Sequence, residues 1–171
     1  FHSFGDRILR DFSIDIGLPA NFKILSATEQ AIFMRENLFA FELDYYRPLS
    51  NPTSHIRELL SHFSRLKDEL ISPDEYTEYA AQARRRAEKS RDQEIIIEAN
   101  KTLELANAYA KYQEMMIQSG NLDYGDQIYM TYQLLSSRSD ILKKLQKQFK
   151  YILVDEFQDT NYGQYQIVKK I

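Results

Sequence analysis

The chain contains no cysteine and no tryptophan, and only five glycines and four prolines among its 171 residues. Without cysteine there can be no disulfide and no thiolate metal site, a usage that fits a reducing cytoplasm. No apolar run approaches the twenty or so residues a membrane span requires, and no basic, apolar leader opens the sequence. The expectation is a cytoplasmic protein with no membrane contact. Few glycines and prolines leave little material for tight β-turns. The charges nearly balance, with 22 basic against 25 acidic residues and a net charge of −3. That argues against a globally basic nucleic-acid binder and leaves room for a local basic groove. What is present, 43% hydrophobic and 27% charged residues, suits one soluble domain large enough to bury a core.

The apolar spacing is mostly helical. Phe4, Ile8, Leu9 and Phe12 share one face of a first helix that should stop near Gly17-Leu18-Pro19. Residues 21–25 (NFKIL) read as a short extended link. Ser26 and Glu29 have capping-box spacing and open a helix carrying Ile32, Phe33, Leu38 and Phe39. A start at 50–52 (SNP) precedes Ile56, Leu59, Leu60, Phe63 and Leu66, and another at 72–75 (SPDE) has proline where the first turn tolerates it. From there to Gln118 the pattern stays polar and helical, with 83–94 as a bend or a solvated stretch between two helices. Gly120 reads as a C-cap. In NLDYGDQI (121–128) Asp123 is placed to cap a new helix, with Asp126 in its first turn, where a carboxylate suits the helix dipole. A short helix covers about 141–148.

Then the character changes. Residues 150–154 (KYILV) are β-branched and unbroken, as in a strand covered on both faces of a parallel sheet. DEFQDTN follows, and helical spacing returns with Tyr165, Val168 and Ile171 on one side. A strand, a polar turn and a helix make half of a βαβ unit, and open α/β sheets bind ligands beyond the carboxyl ends of their strands. Adjacent carboxylates there can divide the work of nucleotide hydrolysis: an Asp holds Mg²⁺ through water while a Glu polarises the attacking water. An Asp-Glu pair after an arbitrary strand is more often a solvated turn; here it belongs to a longer pattern.

That pattern, ILVDEFQDTN with Gln164, resembles motif II, the Walker B element, of the UvrD/Rep/PcrA family of superfamily 1 helicases. FHSFGDRILRD at 1–11 resembles the family's Thr-Phe-His-Ser segment, NFKIL with SATEQ the link that follows, and NLDYGDQI the Leu-Asp-Phe-Asp-Asp-Leu segment upstream of motif II. Gly125 and Gln127 stand where the family usually shows Asp and Leu. No G-x-x-x-x-G-K-[ST] occurs in the sequence, so the phosphate-cradling loop is not within it.

The resemblance implies a mainly α chain: a helical subdomain of the 1B type over 1–148, with a short motor-domain segment at its start, and the Walker B strand and following helix of a RecA-like motor domain over 149–171. It implies an ATP-dependent DNA helicase parent, unwinding 3′ to 5′ in repair or replication, with the chain itself inactive. Asp155 would coordinate Mg²⁺ and Glu156 act as general base. Gln158 and Asp159 would support the motif, and Gln164 would be structural. Mg²⁺ and ATP belong to the intact parent and none is required by the chain alone. Phe1, His2 and Ser3 match the segment beside the single-stranded DNA path. A related parent of the RecB or AddA helicase–nuclease type, or a non-enzymatic helical module with a vestigial motif, are the alternatives.

Arg84, Arg85, Arg86, Lys89 and Arg91 form the densest basic cluster, suited to phosphate contact. Glu88, Asp92 and Glu94 are interleaved, as on a solvated face. His55 and His62, seven apart on one helix, point to packing rather than metal. An apolar strand at 150–154 with no second strand of its sheet in sight is an edge that invites another chain, so a dimer through that strand is a further expectation.

Overall fold

A computed structural model of the protein describes residues 1–19, 21–90 and 92–171. The chain is mainly α, with eight α-helices and one two-stranded parallel sheet among the described residues. The backbone divides into two compact units, one comprising 1–25, 64–70 and 120–171, the other 26–63 and 71–119.

The first unit opens with α1 (His2–Asp11), which runs through a 3-10 turn to Gly17 at φ +72°. Glycine adopts this left-handed value without steric cost. Then β1 (Lys23–Ile24) pairs in parallel with β2 (Asn121–Leu122), Lys23 opposite Asn121 and Ile24 opposite Leu122. Three helices follow: α6 (Tyr124–Ser137), α7 (Ser139–Gln148) and α8 (Tyr162–Lys170). Ile8, Ile128, Leu134, Leu135, Ile141, Leu145 and Ile167 form its main core. A second cluster joins Leu9, Leu18 and Phe22 to Leu122 of β2.

The second unit packs α4 (Pro73–Ser90) against α5 (Gln93–Gln118) as a helical hairpin, with α2 (Ala27–Glu36) and most of α3 (Ile56–Asp68). Phe63, fully buried, sits against Tyr109 and Tyr112 with ring centroids 5.4 and 5.3 Å apart. The buried carboxylate of Glu104 accepts three successive backbone N–H groups, from Asp44, Tyr45 and Tyr46, at 2.9–3.1 Å. A side chain thereby satisfies donors that the irregular stretch before α3 cannot pair by itself.

Local signals placed most helix starts correctly. Ser26/Glu29 and Asp123/Asp126 form complete capping boxes. Ser72 and Glu75 exchange the same bonds at 2.8 and 3.1 Å. Such caps contribute roughly 1 kcal/mol each. Gly120 follows the end of α5 at φ +67°.

Several expectations fail. The helix read from 50–52 begins at Ile56, because 48–56 closes i→i+3 turns instead. The junction expected within 83–94 is shorter than that: 83–90 is a largely exposed end of α4, and α5 starts from the Asp92 cap; Arg91 lies outside the described residues. In the α2 stretch Met34 and Leu38 are buried, while Ile32 and Phe39 are exposed, Phe39 with the Arg47 guanidinium 5.3 Å over its ring. In α8 the buried positions are Gly163 and Ile167, and Tyr165 faces out.

The strand expected at 150–154 carries no ladder among the described residues. Tyr151 and Leu153 are 92% and 98% exposed. A strand exists through its neighbour's hydrogen bonds, and the parallel partner that Leu122 finds in β1 has no counterpart among the described residues beside 151–154. No helix among the described residues is long and apolar enough to cross a membrane.

Candidate functional site

Asp155 and Glu156 form an exposed turn between the segment 151–154, unpaired among the described residues, and a 3-10 turn over Phe157–Asp159. Glu156 sits at φ 49°, ψ 42°, a left-handed conformation that costs a non-glycine residue roughly 1 kcal/mol. Such outliers persist where the surroundings over-determine them. The braces are visible. The Glu156 N–H donates to Asp155 Oδ1 (3.1 Å), and Gln158 Nε2 donates to Glu156 Oε2. Asp159 N–H reaches back to the Glu156 carbonyl (2.9 Å), and Thr160 Oγ1 donates to the Phe157 carbonyl (2.8 Å). Asp155, Glu156, Gln158 and Asp159 thus stand together on one short exposed segment.

A groove of about 460 Å³ runs along residues 151–155, faced by Phe4, Phe149 and Ile167. Among the described residues that line it, Asp155 is the one with a charged side chain. Its walls are apolar, so it carries no phosphate-binding character of its own. Among the described residues no group of three or more His, Asp or Glu could by itself hold a metal ion. Magnesium does not need such a group, since it takes one or two carboxylates with water and phosphate oxygens. The exposed Asp155 carboxylate meets that requirement.

Downstream, Asn161 caps α8: its Oδ1 accepts the Gln164 N–H (2.8 Å), and Gln164 Oε1 accepts the Asn161 N–H (3.3 Å). Gln164 therefore holds the structural place expected of it, and Thr160 braces the turn. Asn161 Nδ2 also donates to Asp68 Oδ1 at 2.6 Å. Burial raises the Asp68 carboxyl above its usual range, with His2 opposing.

Beside Asp68, Lys67 is fully buried, its Nζ 2.7 Å from Asp123 Oδ2 and 2.8 Å from Asp126 Oδ1. The other oxygens of those carboxylates close the α6 capping box, Asp123 Oδ1 on the Asp126 N–H and Asp126 Oδ2 on the Asp123 N–H, both 2.9 Å. Burial alone would lower the Lys67 ammonium, but the two carboxylates outweigh it and hold it above its ordinary value. Burial, with Asp123 adding to it, pushes the Asp126 carboxyl up to about 6. Gly125 makes the room: a Cβ there would lie 3.0 Å from Lys67 Cδ. Sequence reasoning missed Lys67 and Asp68. The available signal was a lysine four residues after Phe63, on the apolar stripe of α3.

Phe1, His2 and Ser3 are exposed at the start of α1. His2 sets its ring edge-on to Tyr124, centroids 5.7 Å apart, and burial lowers its imidazole below the usual range. Arg84, Arg85 and Arg86 lie on α4, in the other unit, on a largely solvated stretch. Arg84 pairs with Glu88 (3.2 Å) and Arg86 donates to Gln82 (3.4 Å), the intrahelical partners of a solvated face. His62 Nε2 lies 2.9 Å from the Tyr76 hydroxyl, and burial pushes that phenol up to about 12.

The chain is 33% identical over 170 residues to the ATP-dependent DNA helicase PcrA of Leuconostoc citreum, matching 98% of this chain and 19% of that protein. With PcrA of Bacillus subtilis it shares 32% over 171 residues, all of this chain and 20% of the relative. DNA helicase II of Haemophilus influenzae is 28% identical over 171 residues, 99% of this chain and 20% of that protein. The chain thus spans about a fifth of the length of the curated relatives it matches. The family model for the UvrD/REP helicase N-terminal domain matches residues 1–171, and the chain belongs to that family.

Proposed function

We propose that the chain is the 1B-type helical region, over 1–148, and the Walker B segment, over 149–171, of a cytoplasmic ATP-dependent DNA helicase. In the parent protein, ATP hydrolysis would drive 3′-to-5′ movement on single-stranded DNA and the separation of duplexes in repair or replication. The observation that carries the reading is the Asp155–Glu156 turn. Two adjacent exposed carboxylates end an apolar segment, the second held in a left-handed conformation, directly ahead of a capped helix.

Bound Mg²⁺ and ATP would supply the phosphoryl group and the charge neutralisation that its transfer needs. Asp155 would hold the cation through water, and Glu156 would act as general base toward the attacking water. Gln158 donates to Glu156 Oε2, and Asp159 secures the turn through its N–H. Phe1, His2 and Ser3 face single-stranded DNA, and Arg84, Arg85 and Arg86 face duplex phosphates. The chain by itself is inactive, because the phosphate-cradling loop and its lysine are not in its sequence.

The test is Glu156→Gln in the full-length parent. Nucleotide binding should persist while DNA-stimulated turnover falls by roughly 10²–10⁴-fold, the range for loss of a general base. Undiminished turnover would remove Glu156 from the role and the reading with it.

A further inference from the structure

The turn that carries Asp155 and Glu156 has its long-range side-chain hydrogen bonding on one side among the described residues. Upstream, residues 151–154 carry no ladder, and Tyr151 and Leu153 are almost wholly exposed. Within the turn the bonds are local, from Asp159 and Thr160 back to the Glu156 and Phe157 carbonyls. The first residue downstream whose side chain is bonded to a distant part of the unit is Asn161, through Asp68.

An amide side chain has an acceptor end and a donor end, and both ends of Asn161 are used: Oδ1 takes the Gln164 N–H and Nδ2 donates to Asp68. The Gln164 N–H fixes which end faces the helix, and Asp68 holds the other end against the end of α3. Aspartate would cap α8 as well as asparagine does, and its charge would suit the helix N-terminus. At 161, however, it would set two carboxylates at hydrogen-bond distance. Asp68 is itself well seated. It follows Lys67, whose ammonium is held by Asp123 and Asp126. The first turn of α8 also presses on its backbone, where a Cβ on Gly163 would lie 3.2 Å from the Asp68 carbonyl oxygen.

We propose that Asp68 is a positioning residue for the Asp155–Glu156 turn, acting through its hold on the Asn161 amide. The proposal rests on the helicase reading above and adds to it a residue far upstream in the chain, at the end of α3.

The experiment compares Asn161→Asp, Asp68→Asn and the double variant in the full-length parent, with DNA-stimulated ATP turnover measured beside thermal unfolding. Asn161→Asp keeps the cap and sets it against Asp68; kcat should fall by about tenfold or more, as small misplacements of catalytic groups do, with KM for ATP little changed. Asp68→Asn keeps an acceptor for Asn161 and should stay within about threefold of the natural protein, since the hydrogen bond survives with a neutral partner. The double variant exchanges the two groups. Its amide stands at position 68 and donates to the carboxylate at position 161, and kcat should return. Failure of the double variant to recover, a normal kcat in Asn161→Asp, or a loss no larger than the fall in folded fraction would each overturn the proposal. Glu156→Gln, assayed alongside, separates the two failures. If it is inactive while Asn161→Asp is normal, the positioning role alone fails; if it is fully active, the helicase assignment of the turn fails.

Discussion

Replacing Lys67 with Met would isolate the energetics of the buried charge cluster. The lysine stem is packed, with its Cδ where a Cβ on Gly125 would come within 3.0 Å. Methionine fills much of that volume and deletes only the charge and its donors. Asp123 and Asp126 would remain buried, each losing a bond of 2.7–2.8 Å to Nζ. Removing one partner of a buried ion pair typically costs about 3–5 kcal/mol, because the remaining charge is left uncompensated. Against a net folding stability of roughly 5–15 kcal/mol for a domain, that is a large share of the whole.

The penalty has a pH signature with a definite sign. Asp126 already has its native carboxyl pushed up to about 6 against an ordinary 3.8, with burial the first cause and Asp123 the second. Below 3.8 the folded and unfolded chains are both protonated at this group. Between the two values the folded state binds the proton first, so this contribution favours folding at low pH and is lost as pH rises through about 6. Without Lys67, which opposes the shift, the native carboxyl should rise further and the window widen upward. Urea unfolding followed by helical circular dichroism should show Lys67→Met strongly destabilised near pH ~7 and much closer to the natural sequence near pH ~5. A variant within about 0.5 kcal/mol of the natural protein at neutral pH, the range of an ordinary surface substitution, would refute the reasoning. So would a penalty unchanged at the lower pH.

If Arg84, Arg85 and Arg86 face duplex phosphates, replacing all three with Ala in the full-length parent should weaken DNA binding alike across sequences and flatten its salt dependence; an unchanged salt slope would return them to a solvated face. Gly163→Ala must displace Ile128 Cγ2, 3.0 Å from the added Cβ, as well as the Asp68 carbonyl oxygen, and should cost about 1–3 kcal/mol as overpacking does, read as a lower thermal midpoint. The amides of Ile152, Leu153 and Val154 should exchange rapidly in dilute chain and gain protection as concentration rises, if the exposed segment pairs with a second copy; strong protection in a strictly monomeric sample would count against that pairing.

What was legible in the sequence was local. Ser26 with Glu29, Ser72 with Glu75, and Asp123 with Asp126 announce helix starts because the side chain and the amide it serves are three residues apart. Gly17 and Gly120 mark chain reversals because left-handed backbone is cheap only for glycine. The start misread at 50–52 shows the limit of that logic. Pro52 is compatible with a first helical turn, but 48–56 satisfies its N–H groups through short-range turns, and the helix waits for Ile56. Met34 and Phe39 show another limit: period alone does not say which of several apolar residues faces inward, and an exposed ring can be shielded instead by a guanidinium such as Arg47.

The candidate site divides along the same line. Asp155 and Glu156 were readable because their meaning lies in adjacency, an apolar run followed at once by two carboxylates. The long-range bonds of the same unit were not, because Asp68 meets Asn161 across 93 positions and Lys67 meets Asp123 across 56. Nothing in SRLKDEL distinguishes a solvated lysine from one that ties down the start of α6, except that its position continues the stripe of Leu59 and Phe63. A charged residue on an apolar stripe must find a partner or unfold the stripe, so Lys67 required a carboxylate somewhere in the fold. The sequence offers 25 acidic residues as candidates. Choosing Asp123 and Asp126 needs the end of α3 to meet the start of α6, and that meeting depends in turn on Gly125 leaving space for the lysine stem. The motif and its support therefore answer to different physics. The carboxylates stand out through chemistry along the chain, and the bonds around them through burial, where two successive residues at the end of α3 meet the N-terminal caps of two helices.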